Sequence, residues 1–333
     1  MEYKEKIEKL LNKLKSMDNF VITTHKSCDP DGIGAELGLS FLLEKLGKRN
    51  SIINPDKTPE RYLFLDPKMR LTHIDPEKLF STENKNVIIV DNSDIPRIGD
   101  VQVYLNEAKS NLISIDHHDG VENFEGLFCF PEVGSTSEII FELIELAGYK
   151  PDYITAYAIF AGIIVDTGQF KYRKTRPRTH QIAAKILELH QIPQEELIRT
   201  LYEDASYKVL LLKKDIYSTL NILPEEGIAS VEIKREFLNK YGFTSNPAEG
   251  LTNDILGTSG INMAVSFVEN DEKSVKLSFR SKGKYDICKI AKEFSGGGHT
   301  NAAGAFAEGS LEYVKAQVIN KLKKLYLETK DAI

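Results

Sequence analysis

Residues 113 to 120 read ISIDHHDG. An apolar run that starts at Leu112 stops abruptly on Asp116, His117 and His118. The run lacks the strict alternation of a strand with one wet face, and reads as a strand covered on both sides. The same pattern recurs in NFVITTH (19–25), SIIN (51–54) and NVIIVD (86–91). Helical periodicities lie between and after these runs, near 32–46, 134–147, 151–165 and 178–190. Strands alternating with helices predict an α/β domain with a parallel sheet flanked by helices.

The character of the chain changes after residue 190. QEELIRTLYE and YKVLLLKKDIYSTL are charged and helical, and read as a linker over 191–215. Alternating patterns follow in GIASVEI (227–233) and INMAVSFVENDEKSVKLSFR (261–280). The second predicts a hairpin turning at Glu269–Glu272. GGGH (296–299), an AAGA stretch and a helix over about 310–328 complete a smaller α+β domain. The expected division is therefore 1–190, a linker over 191–215, and 216–333.

The totals narrow the function classes. The chain has 333 residues, 41% hydrophobic and 28% charged, as expected of a globular protein with two domains. Cys28, Cys129 and Cys288 form no CxxC pair, so neither a disulfide framework nor a zinc knuckle is expected. A reducing, cytoplasmic setting fits that usage. The N-terminal MEYKEKIEKLLNKLK is a charged amphipathic helix, with Ile7, Leu10, Leu11 and Leu14 on one face, and not a signal peptide. The longest apolar run, 154–165, falls short of the ~20 residues that span a bilayer, so no membrane partner is expected. A net charge of −6 argues against coating long nucleic acid. It leaves room for a small phosphorylated substrate on a local basic patch. KYRKTRPR (171–178) is such a patch, but a solvated loop reads the same way and it is not counted as a site.

In an open parallel sheet, ligands gather outside the C-terminal strand ends. His25, Asp29 and Asp31 follow VITT, Asp91 follows VIIV, and Asp116, His117 and His118 follow LISI. Asp166 follows the apolar segment AIFAGIIV. Each has an ordinary explanation alone. Asp29 or Asp31 can cap a helix, Asp91 can form a turn, and Asp166 can be a satisfied buried acid. Together, such crowded carboxylates would raise one another's pKa unless positive charge sat among them. A pair of divalent cations supplies that charge. Oxygen and imidazole donors suit Mn²⁺, with Mg²⁺ or Co²⁺ as substitutes.

The set His25-x3-Asp29-x-Asp31, Asp91, Asp116-His117-His118 and Asp166 resembles the DHH phosphoesterase superfamily. SFRSKG (278–283) and SGGGHTNAAG (295–304) resemble its C-terminal DHHA1 domain. The motifs stand in family order over nearly the whole chain. Size and layout are similar to the stand-alone nanoRNase/pAp-phosphatase type, and cyclic-di-AMP phosphodiesterases share the catalytic pair of domains. One departure is Cys28 and Pro30, where the family usually has proline and often glycine.

The resemblance implies an active-site cleft between the two domains. It implies that His25 and Asp29 hold one metal, that Asp31, His117 and Asp166 hold the other, and that Asp91 bridges. Asp116 would orient the histidine pair, and His118 would touch a phosphate oxygen or protonate the leaving oxygen. Gly296, Gly297 and Gly298 would let backbone N–H groups approach phosphate, with His299 and Arg280 adding side-chain contacts. Ser135 and Thr136 fit helix capping better than substrate contact. The implied activity is Mn²⁺-dependent hydrolysis of short oligoribonucleotides, pApA and possibly pAp. A cyclic-di-AMP phosphodiesterase is the alternative. Inorganic pyrophosphatase is disfavoured by the GGGH domain, and a long-DNA exonuclease would need extra binding domains and a more basic surface. A silent nucleotide sensor would have lost a ligand, and none is lost. The apolar helices near 134–165 suggest a homodimer.

Overall fold

The computed structural model describes residues 3–75, 86–105, 112–118, 124–202, 206–248, 250–271 and 273–330. The chain forms two compact units, Met1–Glu203 and Asp204–Ile333.

The first unit runs α1 (Tyr3–Ser16), β1 (Phe20–Thr23), α2 (Pro30–Lys45), β2 (Asn50–Asn54), β3 (Leu71–His73), β4 (Asn86–Val90), β5 (Leu112–Asp116) and β6 (Leu127–Cys129). Then come α3 (Thr136–Leu146), α4 (Tyr153–Asp166), α5 (Pro177–Leu189) and α6 (Gln194–Tyr202). The sheet order is β3-β2-β1-β4-β5-β6, and every pairing is parallel. The four apolar runs supply the four central strands. The edge strands β3 and β6 have three residues each, too few to show a period. Strands step outward from β1 in one direction and from β4 in the other. The switch point of the sheet therefore lies between the ends of β1 and β4, where an α/β sheet opens its ligand crevice.

Helix α2 is apolar nearly all round and buried from Pro30 to Leu43, as expected of a helix inside a core. It packs against α4 through glycine. A Cβ on Gly34 would stand 2.5 Å from the Ala158 carbonyl oxygen, and one on Gly162 would stand 2.3 Å from Ser137 Oγ and 2.9 Å from Asp31 Oδ1. Gly162→Ala should therefore destabilise the unit by about 1–3 kcal/mol, the usual range for overpacking. Thermal unfolding checks this, and an unchanged melting temperature would show that α4 can move aside. The apolar faces of α3 and α4 are filled by this unit's own core, Ile139, Ile140, Ile159 and Phe160 among them. Their composition thus does not itself call for a second subunit.

The second unit runs α7 (Tyr207–Tyr217), β7 (Asn221–Leu223), β8 (Ile228–Ile233), α8 (Arg235–Tyr241), α9 (Leu251–Leu256), β9 (Met263–Asp271) and β10 (Ser274–Ser281). It ends with α10 (Ile287–Glu293), β11 (Gly297–His299), β12 (Ala302–Glu308) and α11 (Leu311–Lys330). The sheet order is β11-β12-β10-β9-β8-β7, with only the β8–β9 pairing parallel. The expected turn at 269–272 lies too early. Glu269 still pairs with Val275, and β9 continues to Asp271, because polar residues at the wet end of a ribbon pair as readily as apolar ones. Glu272 is outside the described residues. The GGGH and AAGA stretches are themselves strands, β11 and β12. Ala303, Ala305 and Ala307 face the core and Gly304, Phe306 and Glu308 do not, a period of two written in small residues. Of the segment 191–215, α6 places Leu197 in the first unit's core and α7 places Leu212 in the second's.

Candidate metal centre

The site is built at the C-terminal edge of the first sheet. Asp29 is the N-cap of α2, its Oδ1 accepting from the N–H groups of Asp31 (2.9 Å) and Gly32 (3.2 Å). Pro30 opens that helix, where its missing N–H is no loss. Asp31 sits in the first turn, fully buried, and receives Thr136 N–H at 2.7 Å and Ser137 N–H at 2.9 Å from the start of α3. Asp91 follows β4 directly in a left-handed conformation, φ 55°. Such a backbone is uncommon outside glycine and tolerated by Asp and Asn. Thr136 Oγ1 donates to Asp91 Oδ1 at 3.1 Å. Asp116 ends β5, and its Oδ1 accepts from His117 N–H (2.8 Å) and His118 N–H (3.2 Å) and lies 2.7 Å from His118 Nδ1. Asp166 comes from the C-terminus of helix α4 and not from a strand end.

These side chains converge. His117 Nε2 lies 2.8 Å from Asp166 Oδ2, 3.5 Å from Asp91 Oδ1 and 3.9 Å from Asp31 Oδ2. His25 Nε2 lies 3.6 Å from Asp91 Oδ2. One donor group is His25, Asp29 and Asp91, and another is Asp31, Asp91, His117 and Asp166, each with donor atoms within 4.8 Å of one another. Asp91 belongs to both. A further grouping joins Asp91, His117 and His118.

His117 tests whether a cation fits. Its Nδ1 lies 3.2 Å from the Val133 carbonyl oxygen, which accepts a hydrogen bond from the ring N–H there. That leaves the buried Nε2 facing Asp166 Oδ2, Asp91 Oδ1 and Asp31 Oδ2, and in the neutral ring it presents a lone pair to them. A lone pair and carboxylate oxygens facing one point suit a cation and little else.

Without one, protons take its place. Burial, then the charges of Asp91 and Asp166, push Asp29 up to about 6. Burial and Asp91 hold Asp31 well above the usual carboxylate range. Burial works against ionisation of Asp91 too, but His117 and His25 outweigh it and keep that carboxyl low. Burial likewise opposes protonation of His25 and His117, and neighbouring carboxylates overcome it. The Asp116 contact raises His118 most directly.

Two features of the site escape the sequence reading. Thr136 and Ser137 hold Asp31 and Asp91, while Ser135 is the cap of α3, accepting from Glu138 N–H at 3.2 Å. Lys174, inside the basic stretch left off the site, donates from Nζ to the His117 carbonyl oxygen at 2.9 Å. Its signal was position, only a short turn beyond Asp166.

In the second unit Arg280 lies on β10 and donates from Nη1 to the Phe279 carbonyl oxygen at 2.9 Å. With Lys276, Ser278 and Arg235 it lines a cavity of about 750 Å³. The glycines differ from one another. A Cβ on Gly296 would stand 2.2 Å from the Gly304 carbonyl oxygen and one on Gly298 2.5 Å from that of Ala302, whereas Gly297 faces nothing within 4 Å. Of the three, Gly297 is the one with open space where a Cβ would stand. The backbone of His299 is in β11, and its side chain is outside the described residues. Among the described residues, no helix is long and apolar enough to cross a membrane.

Residues 19–163 match the DHH family, N-terminal domain, and residues 228–327 match the DHHA1 domain. The bifunctional oligoribonuclease and PAP phosphatase NrnA of Bacillus subtilis (strain 168) is 34% identical over 301 residues, covering 89% of this chain and 91% of that protein. A probable bifunctional oligoribonuclease and PAP phosphatase NrnA of Streptococcus mutans is 29% identical over 298 residues, 89% of this chain and 92% of that protein. The crystal structure of an exopolyphosphatase-related protein from Bacteroides fragilis superposes with a TM-score of 0.89 at 27% identity, covering 98% of both chains.

Proposed function

This chain belongs to the DHH/DHHA1 phosphoesterase family of metal-dependent hydrolases, and from that premise we propose that it is a Mn²⁺-dependent phosphodiesterase of very short oligoribonucleotides. Its substrates on this reading are pApA and oligomers of a few nucleotides, with pAp as a second substrate. The observation that carries it is the pair of donor groups sharing Asp91, with His117 Nε2 set among the carboxylates of Asp166, Asp91 and Asp31.

His25, Asp29 and Asp91 would hold one ion, and Asp31, His117, Asp166 and Asp91 the other. Bound there, two such cations would supply charge for the phosphoryl oxygens and would acidify water near neutral pH. The chain's own residues do the rest. Thr136 and Ser137 keep Asp31 and Asp91 aimed inward. Asp116 fixes the His118 ring through Nδ1 and favours its protonated form, so Nε2 can hand a proton to the leaving oxygen. The His118 side chain is 42% exposed, as a group that meets substrate must be. Arg280 and the Gly297 N–H would take a substrate phosphate in the DHHA1 unit.

Arg280→Ala should raise KM for pApA roughly 10- to 100-fold, the equivalent of one lost hydrogen bond to a charged group, and leave Mn²⁺ binding unchanged. Steady-state kinetics and a Mn²⁺ titration of the variant check both halves.

The function itself is tested with purified protein and Mn²⁺, offered pApA, pAp, cyclic-di-AMP and pyrophosphate in parallel, with Asp91→Ala as the blank. Fast release of AMP from pApA is expected. Turnover of cyclic-di-AMP alone would replace this reading with a signalling phosphodiesterase. Bound metal without turnover of any of them would make the protein a nucleotide-binding sensor.

A further inference from the structure

Behind the metal centre lies a buried polar chain that takes no part in the roles above. Strand β1 leaves the sheet ladder after Thr23, which pairs with Ile89 of β4. Thr24 is next, with none of its surface exposed, and its N–H has passed beyond the strand partners. The side chain of Asn54, the last residue of β2, takes over. Its Oδ1 accepts from Thr24 N–H at 3.4 Å. The other half of the amide is pinned as well, Asn54 Nδ2 donating to Glu36 Oε2 at 3.0 Å. Because the Thr24 backbone N–H can only donate, the amide cannot flip, and Oδ1 must face Thr24. On its far side Thr24 Oγ1 donates to the Val90 carbonyl oxygen at 2.9 Å. A Cβ on Gly32 would stand 2.7 Å from that hydroxyl, so the space is closed.

The chain runs Glu36 on α2, Asn54 on β2, Thr24 after β1, Val90 on β4. It ends beside two donors at once, since His25 follows Thr24 and Asp91 follows Val90. Glu36 and Asn54 are 0% and 1% exposed, and Glu36 Oε1 has no partner at all. A core placed for stability alone would put an apolar side chain at 36, because a buried acid with a bare oxygen is costly.

We propose that Glu36 and Asn54 are positioning residues that hold His25 and Asp91 at the spacing the first cation needs. The proposal rests on the metal-holding role of those two residues. Burial raises Glu36 to about 8, so the strut is carried by a neutral acid, and a neutral isostere should replace it.

The test titrates metal-free protein with Mn²⁺ by calorimetry, for wild type, Asn54→Ala, Thr24→Val and Glu36→Gln. Wild type should bind two ions. Asn54→Ala should weaken one of them by roughly 10- to 100-fold, the usual effect of losing an outer partner of a metal ligand, and leave the other unchanged. Its kcat should recover at high Mn²⁺ with KM for pApA unaltered. Thr24→Val keeps the side-chain shape, so it reports even if Asn54→Ala does not fold, and should weaken the same ion. Glu36→Gln should match wild type. Folded variants with two wild-type affinities and only a lower melting temperature would overturn the proposal and make the chain merely structural. Wild-type protein that binds no divalent ion would overturn the metal reading, and this inference with it.

Discussion

Asp91→Asn should lower kcat for pApA by about 10³-fold or more and reduce the Mn²⁺ bound by the folded protein. Among the described residues, Asp91 is the one common to the three donor groups. The amide removes the charge and replaces one oxygen with a donor that points N–H at any cation. Losing several kcal/mol of charge stabilisation in the transition state corresponds to that rate, at about 1.4 kcal/mol per tenfold. Asn is the sharper variant because it tolerates the left-handed backbone at this position, φ 55°. Ala would add strain to the loss of the ligand. Its circular dichroism spectrum should stay that of the wild type. A variant that keeps two bound ions and turns over within tenfold of wild type would remove Asp91 from the bridging role.

The parts of this site that were legible in the sequence are those that local patterns write down. Apolar runs that stop on Asp or His mark buried strands and the donors beyond them, and the 3.6-residue period marks α4 with Asp166 at its end. Edge strands of three residues carry no period, and β3 and β6 stayed hidden for that reason. β12 was hidden differently, because its inward residues are alanines and look like a loop in composition. The supports of the metal centre depend on tertiary approach. Nothing local says that the first turn of α3 donates to Asp31, on α2, or that Asn54 completes the ladder of β1. Lys174 lies in a charged stretch that reads as solvated, and only the fold turns its ammonium to the His117 carbonyl. Sequence separation between partners, 57 residues there and 106 for Ser137 and Asp31, is what conceals them.

Stripping the metal should leave a protein that grows less stable as pH rises from about 5 to 8, and Mn²⁺ should reverse that trend. The sign follows from the groups at the centre. Asp29 has a folded pKa near 6, above its ordinary value, so the folded state holds a proton that the unfolded chain has already lost. Its contribution is intact below about pH 4 and disappears as pH rises through 6. Asp31 is raised as well and acts in the same direction. His25, His117 and His118 are raised as well, and their contribution is full below about 6.5 and lost as pH rises through their raised values. Glu138, near 7, and Glu36, near 8, add to the same slope. Asp91 and Asp116 are lowered and work the other way, but their contribution is complete by about pH 5. Cations that replace these protons bind most tightly where the protons are fewest, so the stabilisation by Mn²⁺ must grow with pH. At a free concentration 100 times Kd it amounts to about 2.7 kcal/mol, or roughly 5–10 °C in melting temperature for a domain of this size. Melting curves at pH 5.5, 7 and 8, with chelator and with Mn²⁺, decide the matter. A metal-free melting temperature that climbs over that range, or an equal Mn²⁺ shift at all three pH values, would mean that the buried carboxyls are not paired with a cation.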